Sequence, residues 1–176
     1  MSVISANAQS SAQKWDKETK KAFKKAASYS LMIDFSDMKI SGLDSAEFVS
    51  YYCDKKQAKP EFLGLVLKKF KHELASAASK VMKKSFLIDD STSDFVFSYR
   101  IYEITDNAGL TGDLSIYPRG KTEEANIYDF KIKDGKWNDF DVLLLENAEK
   151  LGKRLIDISY SSQSTYMQRK ATYEKK

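Results

Sequence analysis

Histidine and cysteine, the side chains most used for imidazole, thiolate and metal chemistry, occur once each in this sequence and stand apart from one another. The one histidine, His72, lies among Lys68, Lys69, Lys71 and Glu73, with no second ligand or orienting partner beside it. The one cysteine, Cys53, is followed by Asp54, Lys55 and Lys56. Neighbouring lysines are a common setting for a reactive thiol, but a nucleophile also needs a base and none is at hand, so a partly buried loop cysteine is expected. Asp89, Asp90 and Asp94 could seat a hard cation, yet the spaced oxygen ligands and central glycine of a calcium loop are missing, and a solvated turn is the expectation. Glu123 and Glu124 form a second acidic pair without further ligands. Neither GxGxxG nor GxxxxGK occurs, and Gly109 and Gly112 fall in a strand connection rather than before a helix. A lone cysteine also excludes an internal disulfide and a multi-thiolate metal site. No catalytic residue, metal site or cofactor is therefore expected, and the chain reads as a non-enzyme.

What remains is the composition of a folded body. Of 176 residues, 42% are hydrophobic and 31% charged, and ten Phe, ten Tyr and two Trp supply large side chains for a core. Seven Gly and two Pro are few, so long elements are expected. No apolar run approaches the roughly 20 residues that span a bilayer. The net charge of +4 is unevenly placed: residues 10–27 carry +4, residues 153–176 carry +4, and the segment between them carries −4. Nucleic-acid binding needs a basic stripe on a folded surface, which two lysine-rich ends do not supply, so no nucleic-acid partner is expected. The ends read as solvated termini, with a weak peripheral contact to anionic membrane as the second reading.

Periodicity places the elements. A helix over about 11–27 sets Trp15, Thr19, Ala22, Phe23 and Ala26 on a narrow stripe. Residues 29–40 alternate, with Leu31, Ile33 and Phe35 on one side and Met32, Asp34 and Ser36 on the other, as a strand buried on one face does. A polar connection is expected over 41–59. Pro60 then opens the longest helix, with Leu63, Val66, Leu67, Phe70, Leu74, Ala77, Ala78 and Val81 on one face and His72 on the solvated side. A short strand at 86–88 follows, and then three longer ones: 95–104, the segment around Leu114 and Ile116, and 127–132, joined by polar turns as a meander. A last helix starts near Asn138 or Asp139 and presents Phe140, Leu144, Ala148, Leu151, Leu155 and Ile158.

This order predicts an α+β two-layer sandwich: one mostly antiparallel sheet of about five strands with two long helices on one face, plus an N-terminal helix. The expected organisation is a signal-peptide remnant or disordered start at 1–9, a basic helix at 10–27, one α+β domain at 28–159 and a flexible basic tail at 160–176. Residues 28–158, through YSLMIDFSDMKI, PEFLGLVLKKFKHELASAASK, DDSTSDFVFSYRIYEI, GDLSIYP, NIYDFKIKDGKW and LLLENAEKLGKRLIDI, resemble the exported α/β domain of the curli-secretion lipoproteins, the N-terminal domain of TolB and related envelope families of unknown function. The resemblance lies in element order and hydrophobic rhythm. It implies an envelope scaffold or adaptor, some of whose relatives assemble into rings, and it brings no active-site residue with it. The chain lacks the membrane-inserting hairpins and lipid-attachment cysteine of the pore-forming members.

Two functions follow as expectations. The first is a non-catalytic exported module of a Gram-negative envelope that docks an envelope protein or itself. The second is a small-ligand or lipid carrier with a pocket between sheet and helices. For the first, strand alternation puts Asp34, Arg100, Tyr102, Tyr117 and Lys131 on the sheet face away from the long helices, as the candidate partner-binding residues. Export would be by a Sec-type signal, to the periplasm or the outer membrane. Small residues at Ala6 and Ala8 before Gln9 fit a signal-peptidase cut, although the basic start and full apolar stretch of a signal peptide are not seen. Mass spectrometry of the native protein is expected to find its N-terminus at or near Gln9; intact Met1 recovered from the cytosol would exclude export.

Overall fold

The computed structural model describes residues 15–136 and 138–155. The expected signal remnant at 1–9, the first turn of the N-terminal helix at 11–14, Ile158 and the tail at 160–176 lie outside the described residues. Helix α1 (Lys17–Lys25) starts at Asp16, whose carboxylate accepts from the Thr19 amide at 2.7 Å. Strands β1 (Ser28–Asp34) and β2 (Lys39–Ile40) follow, then helices α2 (Ser45–Lys56) and α3 (Phe62–Met82). Next come β3 (Ser85–Ile88), β4 (Phe95–Ile104), β5 (Leu110–Pro118), a single 3-10 turn at Thr122–Glu124, β6 (Asn126–Ile132) and α4 (Phe140–Lys153).

The fold is the expected α+β sandwich, but its sheet is mixed. The strand order is β3-β1-β4-β5-β6, with β2 paired to β4. β4, β5 and β6 form the antiparallel meander. β1 lies between β3 and β4 and is parallel to both, and β2 is parallel to β4. The reason lies in α3. After β1 the chain returns along this 21-residue helix, about 31 Å at 1.5 Å per residue, to the starting end of the sheet, so β3 must run in the direction of β1. Alternation specifies which face a residue takes, not which way its neighbouring strand runs.

A second correction concerns 41–59, expected as a polar connection. It holds α2, opened by a capping box in which the Asp44 carboxylate accepts from the Glu47 amide and the Glu47 carboxylate from the Asp44 amide, both at 2.9 Å. Phe48 packs on Phe140, and Tyr52 stacks on Phe62 with centroids 4.7 Å apart, which fastens α2 to the starts of α3 and α4. Cys53 is accordingly a half-buried helical residue rather than a loop cysteine.

Every helix whose packing is resolved lies on the same side of the sheet. Tyr29, Leu31 and Ile33 of β1 and Phe95, Phe97, Tyr99 and Ile101 of β4 face that side and are buried there. Phe23 of α1 stacks within 5.0 Å of Tyr29 and meets Phe95 edge-on at 5.2 Å, and the Tyr29 hydroxyl donates to the Phe23 carbonyl. The N-terminal helix therefore lies on the same side as the two long helices. Leu31, Phe70, Leu74, Phe97 and Leu144 fill the layer between sheet and helices and are inaccessible to solvent. Of the expected core, Phe35 and Leu67 are only partly buried. Truncation of either Phe70 or Phe97 to Ala is expected to cost about 3–5 kcal/mol in chemical denaturation, since each leaves a cavity in the sealed layer.

Candidate functional site

Strand register converts the other face into rows. Leu87, Ser30, Val96 and Tyr117 are consecutive partners across β3, β1, β4 and β5. The next row is Met32, Ser98, Ser115 and Ile127, and the one after it Asp34, Arg100, Asp113 and Asp129. Beyond these, the register of β4 shifts between Ile101 and Glu103, which leaves Tyr102 as an extra residue, and Lys131 pairs with Thr111. Gly112 sits opposite Ile101 at this shift. A side chain on it would run into the Arg100 carbonyl and the Phe130 ring, so only glycine lets β5 approach β4 this closely beside Arg100.

One end of the face is closed. The connection from β3 to β4, residues 89–94, crosses β1 on this side: the Asp89 amide donates to the Leu31 carbonyl, and the Ser30 hydroxyl to the Asp90 carbonyl at 2.8 Å. Ser30 and its partner Val96 are consequently buried. Arg119, just past β5, donates to the Ser93 and Asp90 carbonyls at 2.6 and 2.8 Å. Two of the acidic trio of this connection are engaged within the protein. Asp90 accepts from the Thr92 hydroxyl and from the Ser93 amide and hydroxyl, bonds that hold its carboxyl well below the usual carboxylate range. Asp89 turns instead to Lys71, 3.4 Å away. Among the described residues, no group of three or more His, Cys, Asp and Glu side chains is placed to hold a metal.

The charged row is held by partners beside it. Arg100 is paired with Asp37, in the turn after β1, and its guanidinium lies over the Tyr102 ring, 5.5 Å from the centroid. The bond to Asp37 raises the Arg100 pKa further. Asp34 accepts from the Ser36 amide at 2.8 Å, which lowers its pKa, and Arg100 alongside adds to the effect. The Tyr102 hydroxyl donates to Asp113. This bond, with partial burial, pushes the Tyr102 pKa up to about 12. Asp113 and Asp129 face each other as like charges across β5 and β6, a cost that the donated hydroxyl partly offsets.

All five candidate residues stand on this face. Asp34, Arg100 and Tyr102 are brought side by side, with Arg100 over the Tyr102 ring and Asp34 its strand neighbour; Tyr117 lies two rows away, at the closed end, and Lys131 on β6. The sequence reading missed Asp37 as the partner of Arg100 and Asp113 as that of Tyr102. The D-x-x-D spacing of Asp34 and Asp37 around a turn was the available signal. The face also has an apolar component. Of the seven large apolar side chains that are exposed among the described residues, Met32, Leu87, Tyr102 and Ile127 belong to it, each about 40% accessible. No helix among the described residues is long and apolar enough to cross a membrane.

No protein-family model and no curated protein sequence matches the chain. Among solved structures it is similar to a PelC dodecamer from Paraburkholderia phytofirmans, at 6% identity and a TM-score of 0.43, over 78% of this chain and 89% of that one. It is also similar to an uncharacterized protein of known crystal structure, at 10% identity and a TM-score of 0.40, over 75% of this chain and 87% of that one.

The Tyr102–Asp113 bond makes a pH prediction. The folded pKa of Tyr102 lies above its unfolded value, so this bond stabilises the fold fully below the ordinary tyrosine value and ceases to do so as pH rises through about 12. Absorbance titration, taken as the difference between the parent and Tyr102→Phe, is expected to show phenolate forming near pH 12, and Asp113→Ala to bring that midpoint down toward the ordinary value.

Proposed function

We propose that the chain is a non-catalytic interaction or assembly module of a Gram-negative cell envelope, exported to the periplasm, which docks an envelope protein or another copy of itself through the open face of its sheet. The observation that carries this reading is the concentration of exposed Met32, Leu87, Tyr102 and Ile127 on one rigid face, beside the Arg100–Asp37 and Tyr102–Asp113 pairs. Apolar and aromatic anchors beside fixed charges are what protein interfaces use, and four exposed large apolar side chains on one sheet face exceed the scattered singles of an ordinary surface. The resemblance in element order to exported envelope domains supports the location. The dispersed reactive side chains support a non-catalytic role.

Arg100 and Tyr102 are the residues to replace, both by Ser. The variant is expected to keep a thermal midpoint within a few degrees of the parent, because both side chains are exposed, and to lose either a co-purifying envelope protein or self-association in sedimentation velocity. Unchanged folding with unchanged partners and unchanged mass would remove this face from consideration.

A further inference from the structure

On the side of the molecule away from the open sheet face, α3 carries an outward stripe of Gly64, Leu67, Lys68, Lys71 and His72. Two concavities meet along it. One, of about 630 Å³, lies between α2 and α3 over Val49, Leu63 and Leu67. The other, of about 370 Å³, lies between α3 and the β1–β3 edge over Phe35, Leu67 and Ile88. Both are lined by Gly64 and Leu67, so they adjoin across α3 at Gly64 and are taken together as one trough. Phe35 and Leu67 are incompletely buried because they line it.

Gly64 is the informative residue. Glycine in a helix costs about 1 kcal/mol relative to alanine. Here nothing in the fold requires it: its φ is not positive, and an added Cβ would meet no atom within 4 Å. What the missing side chain does is leave the surface open where the two grooves adjoin. The trough is also polarised. Lys68, Lys71 and His72 rim the end at the sheet edge, and Asp54 stands at the α2 end. Asp89 engages Lys71 at 3.4 Å, and Lys68 has no ion-pair partner among the described residues.

We propose that this trough binds a single-chain carboxylate amphiphile, of the fatty-acid type, with its alkyl chain over Val49, Leu63 and Leu67 and its carboxylate at Lys68 and Lys71. Asp54 repels the head group from one end and the lysines draw it to the other, which sets the direction of binding. The site is separate from the layer between sheet and helices, which is filled, and from the sheet face.

The test titrates decanoate, below its micellar concentration, into the full chain by calorimetry, with decyltrimethylammonium as the same tail bearing the opposite charge. Decanoate is expected to bind at least about tenfold more tightly than the cation. Gly64→Leu, which blocks the junction while improving helix propensity, is expected to weaken decanoate by about tenfold without lowering the thermal midpoint. Lys68→Glu, at an exposed position, is expected to weaken it by a similar factor. Asp89→Asn is expected to tighten it severalfold, because it frees Lys71 and asparagine tolerates the left-handed backbone at position 89 (φ 51). Equal affinity for the two head groups, or decanoate binding unchanged in both Gly64→Leu and Lys68→Glu, would overturn the proposal.

Discussion

The open side of the sheet depends on one short crossing. β1 is flanked by two strands parallel to it, so the chain leaving β3 must pass over β1 to begin β4, and it does so with the six residues 89–94. Register makes this feasible. Ile88 ends β3 level with Leu31, and Val96 lies level with Ser30, so the link has to span two strand spacings, roughly 10 Å, and drop back little along the strands. Six residues reach about 20 Å at full extension. Each residue added to β3 would use up about 3.3 Å of this reach, so the shortness of β3, four residues, suits the compactness of the crossing. The bonds of Asp90 and Arg119 then fix the crossing over Ser30, and what remains uncovered is Leu87 on β3 and the strip from Met32 to Lys131.

The opposite side has a different logic. There the aromatic side chains of α1, β1, β3 and β4 gather as Phe23, Tyr29, Phe86, Phe95 and Phe97, each ring within about 6 Å of at least one other. This cluster accounts for the position of α1, a nine-residue helix with one buried side chain, too short to be stable alone. Trp15 extends the attachment by donating its indole N–H to the Glu124 carbonyl at 2.8 Å. The helices thus seal one face completely and leave the other to its own side chains.

Much of this was legible in the sequence, wherever one physical rule acted alone. The alternation of Phe95, Phe97, Tyr99 and Ile101, and the spacing of Leu63, Phe70 and Leu74, follow directly from one buried face, and they located β4 and α3. The same rule put Asp34, Arg100, Tyr102, Tyr117 and Lys131 on a common side. What was not legible required knowledge of neighbours. The parallel course of β1 depends on how far α3 travels. The pairing of Arg100 with Asp37, and of Tyr102 with Asp113, depends on register and on a shift of one residue that alternation does not reveal. α2 was missed because its buried contribution is mainly Phe48, although Asp44 and Glu47 carried the signature of a helix start.

The parallel return of the chain also bears on its charge. Phe62 meets Phe140 near the starts of α3 and α4, and further along Gly152 lies against Leu74 and Ala77, so the two long helices run in the same direction. Their macrodipoles therefore add, and the negative ends of both gather toward one end of the molecule. Lys80 lies in the last turn of α3, with Lys83 and Lys84 just beyond it, and Lys150 and Lys153 lie in the last turn of α4. Part of the basic charge that the sequence carries near the end of the chain is thus a counterweight to its own backbone.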